Sequence, residues 1–297
     1  NDEKISYNEL LKLTDAAIFY LKENINFQSS KVAILMQSSE NIVLSLLALN
    51  FLKMTIIPIN PDLKLDQVEN IINTIEIDNI ITDESNRFSL KKLTTKRNII
   101  SFNKKNFEYV NLEKKNIINQ DISYPNFLVT LSSGSTGDPK PIIFSEKNKI
   151  DRAKQAIESF SITSKDIILC ASPFFHSLGQ RLTLLPFVIG GTLVQLSKFN
   201  PMKWINKVKR FSVTFSIPVS SHLHALSDYL LDDHEKINSL RCLVSSSALI
   251  EKSVKDRLFN SRTFDFFEMY GASEVATATT LNNDQYKNFP GSVGIAC

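Results

Sequence analysis

The chain is predicted to be an α/β protein built on mainly parallel sheets. Two observations carry this. Short apolar, β-branched runs alternate with segments of helical periodicity along the whole length. With 43% hydrophobic residues in 297, the chain can also bury a substantial core.

The elements follow in order. Ser6-Tyr7-Asn8-Glu9 has the pattern of a helix capping box, and Leu10, Leu13, Ala17 and Leu21 continue an apolar stripe behind it. Residues 31–36 form a short apolar strand. Residues 39–53 are helical in pattern, with Ile42, Val43, Leu46 and Leu47 on one side. A β-branched strand over 54–59 runs into Pro58 and Pro61. Val68, Ile71, Ile72 and Ile75 predict a helix over 65–75, and 79–82 is a strand again. In the second half, strands are expected at 127–131, 141–145, 167–171, 192–196, 213–217, 242–245 and 264–269, with helices between them such as 149–160 and 201–211. In sheets of this kind, ligands sit outside the carboxyl ends of the strands.

Composition narrows the function. The net charge of +3 sets up no field that would draw nucleic acid. The most basic region, 87–115, holds Lys91, Lys92, Lys96, Arg97, Lys104, Lys105, Lys114 and Lys115 without an Arg–aromatic pattern, so it reads as a solvated face or connecting segment. Cys170, Cys242 and Cys297 form neither a disulfide framework nor a zinc spacing; the first two lie in apolar runs as buried thiols, and a reducing, cytoplasmic compartment is expected. His222, His224 and His234 show no ligand spacing. No leader is visible, and the longest nearly apolar stretch, 42–52, is shorter than the roughly 20 residues of a membrane span.

The most informative stretch is Leu131-Ser132-Ser133-Gly134-Ser135-Thr136-Gly137-Asp138-Pro139-Lys140-Pro141, directly after the strand at 127–131. The chain has 8 glycines, none before Gly134, well below the roughly 7 per cent usual in proteins. A sequence that otherwise avoids glycine has placed it where backbone must turn or approach something closely. Hydroxyls and backbone N–H groups in such a loop converge on one place, and Lys140 adds a point charge, so a phosphate chain is the expected guest. The loop is neither of two familiar nucleotide signatures, because the chain contains no Gly-Lys pair and no Gly-x-Gly.

These residues resemble the phosphate-binding signature of the adenylate-forming (AMP-binding) superfamily, which includes acyl-CoA and aryl-CoA synthetases and peptide-synthetase adenylation domains. Further motifs agree in order. Pro58-Ile59-Asn60-Pro61 is similar to an early Pro-x-x-Pro strand end, and Pro173-Phe174-Phe175-His176-Ser177-Leu178-Gly179 to a Phe-His-x-x-Gly segment. Gly190-Gly191-Thr192 fits the turn before the next strand. Tyr270-Gly271-Ala272-Ser273-Glu274 resembles Tyr-Gly-x-Thr-Glu, and Gly291-Ser292-Val293-Gly294 closes the series. Two departures stand out. Pro141 replaces the usual Gly after the Lys, and Ser245-Ser246-Ser247-Ala248 stands where members often carry Ser-Gly-Gly-Ala.

The resemblance implies two packed, mainly parallel sheets flanked by helices, as in the large N-terminal domain of these enzymes, with lobes of roughly 1–125 and 126–297. The chain stops at Cys297, before the family's Thr-Gly-Asp segment, final β subdomain and Lys-bearing C-terminal domain. That marks it as a fragment or a shortened relative, and poor activity is expected of it alone.

The implied chemistry is attack of a carboxylate on the α-phosphorus of ATP, with transfer of the acyl group to CoA or a carrier-protein phosphopantetheine thiol. Ser133, Gly134, Ser135, Thr136, Gly137 and Lys140 would hold the phosphates. Tyr270, Gly271, Ala272, Ser273, Ser247 and Ala248 would hold the rest of the nucleotide, with the Tyr270 ring on adenine. Thr136, Lys140 and Glu274 are the expected catalytic groups, with Glu274 and Thr136 serving Mg²⁺. Phe175 and His176 would border the acyl pocket. Amino-acid-activating relatives place an Asp in the segment equivalent to 174–178, and none is present here, so an acid without an α-amine, fatty or aryl, is expected. A peptide-synthetase adenylation domain and a nucleotide-binding relative without catalysis are the alternatives.

Overall fold

The computed structural model describes residues 3–37, 39–94, 96–107, 126–133, 139–232, 237–261, 263–289 and 291–297. The chain divides into two compact units, residues 1–146 and 147–297.

The first unit is a six-stranded sheet with helices. In chain order it runs α1 (Tyr7–Asn24), β1 (Lys31–Leu35), α2 (Ser39–Phe51), β2 (Thr55–Pro58), α3 (Leu65–Ile75), β3 (Asn79–Thr82), α4 (Glu84–Leu90), β4 (Asn98–Ser101), a short 3₁₀ turn at Lys104–Asn106, β5 (Leu128–Ser133) and β6 (Pro139–Phe144). The strand order is β4-β3-β1-β2-β5-β6, parallel except for the β5–β6 hairpin. That hairpin joins the first sheet through β2, so the strands flanking the glycine-hydroxyl loop belong with the amino-terminal unit rather than opening the second.

Local signals explain these elements. The Ser6 hydroxyl accepts the Glu9 amide at 3.2 Å and starts α1. Val68, Ile71 and Ile72 of α3 pack on Ala33, Ile57 and Ile80 of the sheet, whose strands are buried on both faces and so read as unbroken apolar runs. Within the basic region a strand, β4, pairs in register with β3, a feature the residue pattern did not announce. Its neighbours Arg97 and Lys104 are tied to Asp78, Glu3 and Glu40, and both side chains are largely covered. Pro141 lies across from Leu131 on the edge strand β6, where a residue without an N–H is tolerated.

The second unit contains α5 (Glu146–Phe160), β7 (Ile167–Cys170), α6 (Ser177–Ile189), β8 (Thr192–Gln195), α7 (Pro201–Phe211), β9 (Phe215–Ser216), α8 (Ser220–Asp232), β10 (Cys242–Ser245), α9 (Lys252–Phe259), β11 (Asp265–Ala272), β12 (Ala276–Leu281), α10 (Asn283–Asn288) and β13 (Ile295–Ala296). Its sheet is ordered β13-β12-β11-β10-β9-β7-β8. The five strands from β8 to β11 are parallel, and β12 and β13 continue antiparallel. Side chains alternate across it. Leu169, Leu243 and Phe266 face a core with Trp204, Leu226 and Leu258 of α7, α8 and α9. Ile168, Val244 and Met269 face the opposite core, with Ala153 and Phe160 of α5 and Leu182 and Leu185 of α6.

Asp166 and Arg241 pin the base of this sheet. Arg241 donates to Asp166 from Nε at 2.7 Å and Nη2 at 2.8 Å, and the Thr214 hydroxyl and Thr163 amide also donate to the carboxylate. Burial alone would push the Asp166 carboxyl upward, but these donors outweigh it and hold it at about 2. Cys170 and Cys242 are buried, as expected, and burial pushes their thiols up to about 11 and about 12.

Candidate active site

The carboxyl ends of the parallel strands of the second unit collect most of the candidate residues. The sheet order places β8 on one side of β7 and β9, β10 and β11 on the other, so the crevice where connections diverge opens beside β7. Pro173-Phe174-Phe175-His176 follows β7 there, and His176 is the residue that begins α6. The rings of Phe175 and His176 lie 4.5 Å apart, and desolvation holds the imidazole below its usual range. Gly179 is required at this point. A Cβ on it would sit 2.0 Å from the Pro173 carbonyl oxygen, so only glycine lets the first turn of α6 close on the loop.

Ser246, Ser247 and Ala248 leave the end of β10. Ser246 bridges to Val219, and the Ser220 hydroxyl donates to the Ala248 carbonyl. Ser247 has φ of +86°, a conformation that glycine adopts freely and serine does not. The departure from Ser-Gly-Gly-Ala has therefore kept the glycine-type backbone under a side chain. The neighbouring Ser245 hydroxyl is buried and makes no hydrogen bond among the described residues.

Tyr270 to Glu274 form the end of β11 and the turn into β12. Ser245 pairs with Glu268, which sets Ser247 and Tyr270 at the same edge of the sheet. Tyr270 is 62% exposed, whereas Met269 before it is buried on the α5–α6 side. The register shifts between Tyr270 and Gly271, and a Cβ on Gly271 would meet the Ala276 carbonyl oxygen at 1.8 Å. The hairpin is braced from α5 and α6. Arg152 Nη2 donates to the Glu274 carbonyl oxygen at 2.6 Å, and Gln155 Nε2 to the Thr277 carbonyl oxygen at 3.0 Å. Arg181 Nη1 donates to the Thr277 hydroxyl at 3.0 Å and lies 3.2 Å from the Met269 sulfur.

In the first unit, Ser133 ends β5 opposite Pro139, and Lys140 is exposed on β6 with its carbonyl accepting from the Ser132 hydroxyl at 3.3 Å. Gly134, Ser135, Thr136 and Gly137 lie outside the described residues.

Arg152, Gln155 and Arg181 were not among the residues singled out from sequence. For Arg181 a signal existed, since Gln180 and Arg181 interrupt an otherwise apolar helix of Leu178, Leu182 and Leu185. Arg152 and Gln155 lie on α5, where only their bonds to the main chain of the β11–β12 hairpin single them out.

The fold defined by these two sheets, with a glycine-hydroxyl hairpin on one and a Tyr-Gly-x-Ser-Glu turn on the other, is that of the N-terminal domain of adenylate-forming enzymes. Residues 1–297 match the family model of the AMP-binding enzymes, and the chain belongs to that family. It is 28% identical over 168 residues to a probable 4-coumarate–CoA ligase of Dictyostelium discoideum, a match covering 54% of this chain and 30% of that protein. A D-alanine–D-alanyl carrier protein ligase of Listeria innocua is 24% identical over 287 residues, covering 93% of this chain and 55% of that one. These curated relatives are thus matched over about half their length or less. Among solved structures, O-succinylbenzoate coenzyme A synthetase of Bacillus subtilis in complex with AMP superposes over 100% of this chain and 75% of its own, with a TM-score of 0.86 at 20% identity. Among the described residues, no helix is long and apolar enough to cross a membrane.

Proposed function

We propose that the protein activates a carboxylic acid with ATP to an acyl-adenylate, releasing pyrophosphate, for transfer to the thiol of CoA or of a carrier protein. The observation that carries this reading is the Tyr270–Glu274 turn, presented at the carboxyl end of β11, its main chain held at Glu274 by Arg152 while Gln155 holds Thr277 at the start of β12. Tyr270 offers an exposed ring on which a base can stack, beside the strained Ser247 backbone. Ser133, the loop after it and Lys140 bind and orient the phosphates. Phosphoryl transfer leaves a protein little covalent work, so positioning and counter-charge are what these residues supply.

The donor set fits a magnesium ion carried on the nucleotide. Mg²⁺ is bound through one or two carboxylates together with substrate phosphates and water, and Glu274 supplies an exposed carboxylate on a fixed main chain. When bound, the ion would neutralise charge on the phosphates. Thr136 is the second group assigned to it.

The segment 174–178 carries no acid that could pair with an α-amine, which favours a fatty, aryl or related acid as substrate. Amino-acid activation is the second reading, supported by the likeness to the D-alanine ligase over nearly the whole chain. ATP–pyrophosphate exchange across a panel of acids tests both. Exchange with acids lacking an α-amine, reduced about 100-fold by Lys140→Ala and by Glu274→Ala, is the expected result. Strong preference for an amino acid establishes the second reading, and exchange unchanged in both variants contradicts the assigned roles.

A further inference from the structure

The α5–α6 face of the β11–β12 hairpin gathers three basic side chains. Lys149 and Arg152 stand on α5 with the i, i+3 spacing that makes two side chains neighbours on a helix surface. Arg181 comes from α6, and Lys149 Nζ donates at 2.7 Å to Oε1 of Gln180, the residue before it. Lys149 is 6% exposed and Arg181 9%. Arg152 connects the cluster to the Tyr270–Glu274 turn through its bond to the Glu274 carbonyl.

An arginine keeps its charge in such a place, but a lysine need not. Taking an ammonium out of water costs free energy, and like charges beside it add to the cost. Burial first, then Arg152 and Arg181, pull Lys149 down to about 7, so above that pH it stands neutral. As an amine it can still donate to Gln180. Other titratable groups surround it. Asp151 of α5 pairs with Lys147. The Cys170 and Cys242 thiols of the sheet share the α5–α6 core and are kept neutral by burial. The His176 imidazole, one turn before Gln180, is held below its usual range by desolvation. Glu274 comes from the hairpin, with its main chain held by Arg152.

A nucleotide changes this balance. ATP carries more negative charge than one magnesium ion cancels, and the reading above brings it to the turn that Arg152 holds. A negative charge arriving at a group of basic side chains favours the protonated form of the one that titrates. We propose that Lys149 is a proton-linked part of the nucleotide site, neutral while the site is empty and protonated when phosphates settle at the Tyr270–Glu274 turn beside Arg152. The proton comes from solvent and settles on Nζ, and no bond to the nucleotide forms or breaks. A third positive charge is then present only while an anion is there to match it. This rests on the adenylation reading above and adds to it a proton taken up with the nucleotide.

Calorimetric titration with Mg-ATP, in the absence of an acid substrate and in buffers of different ionisation enthalpy, counts that proton. At pH 8, about two units above the second ionisation of a phosphate ester, the nucleotide itself is fully charged. Lys149, at about 7, is then mostly neutral in the free protein. Uptake of about half a proton or more per nucleotide is expected, with affinity falling about 10-fold between pH 7 and pH 9. Lys149→Met has no titrating group and Lys149→Arg a permanent charge, so each should abolish the uptake and flatten that slope. Neither variant removes any of the hairpin bonds made by Arg152, Gln155 and Arg181. Binding without proton uptake, or with proton release, overturns the inference without any variant. Uptake that persists in a folded variant also overturns it, since another group then carries the proton. Absence of Mg-ATP binding at every pH overturns the adenylation reading itself, and this inference with it.

Discussion

Arg152 on α5 donates from Nη2 to the main-chain carbonyl of Glu274, 122 residues further along, at 2.6 Å. The bond holds the main chain of the turn that presents the Glu274 carboxylate. The charge of Glu274 in turn works against the burial that lowers the Arg152 guanidinium.

Arg152 is therefore a positioning residue. Arg152→Ala should raise KM for Mg-ATP in pyrophosphate exchange by about 10-fold with a smaller change in kcat, matching loss of a charge-assisted hydrogen bond of about 1.5 kcal/mol. Arg152→Lys should restore part of the affinity. A fall in kcat with KM unchanged would contradict this role.

The backbone of the proposed nucleotide site makes opposite demands at two residues. Gly271 has no room for a side chain, and Gly271→Ala should destabilise the protein by about 2 kcal/mol and abolish nucleotide binding, as its Cβ would displace β12. Ser247 holds a positive φ at a cost, and Ser247→Gly should raise stability by up to about 1 kcal/mol. Urea denaturation midpoints measure both.

The Asp166–Arg241 pair predicts a particular acid sensitivity. The Asp166 carboxyl is depressed from 3.8 to about 2, so its contribution is fully present above pH 3.8 and is lost as pH falls through about 2. Asp166→Asn should cost about 2 kcal/mol at pH 7, and the difference between variant and parent should shrink below pH 4. A difference independent of pH would show that the carboxylate charge is not what stabilises the pair.

Thiol chemistry should separate the three cysteines. Cys297 is exposed, while the thiols of Cys170 and Cys242 are buried and pushed up to about 11 and about 12. Brief iodoacetamide treatment at pH 7.5 should alkylate Cys297 alone, with the other two reacting only after denaturation. Modification of Cys170 in the native protein would contradict the packing around β7.

The fold was legible where local and global demands agree. Helix α3 and strands β3 and β10 have the bounds expected of them, α3 because it buries an apolar stripe and the two strands because every one of their residues is buried. β9 shrinks from the expected 213–217 to Phe215–Ser216, since only those two residues pair with β7 and β10. β4 was hidden by the lysines around Ile99 and Ile100. β12 escaped notice because Ala276-Thr277-Ala278-Thr279-Thr280 is weakly apolar and is held by antiparallel pairing with β11. The strip from Tyr270 to Glu274 and the close approaches of Gly179 and Gly271 could be anticipated from where glycine was spent. The bracing by Arg152, Gln155 and Arg181 could not, because each bond joins residues 88 to 122 positions apart.

The central claim is that the Tyr270–Glu274 turn holds a nucleotide, and direct calorimetric titration of the protein with AMP tests it best. The account predicts saturable binding to one site, weakened about 10-fold or more by Tyr270→Ala through loss of a stacking surface. Absence of AMP binding by the folded protein, or an affinity unaffected by Tyr270→Ala, would contradict it.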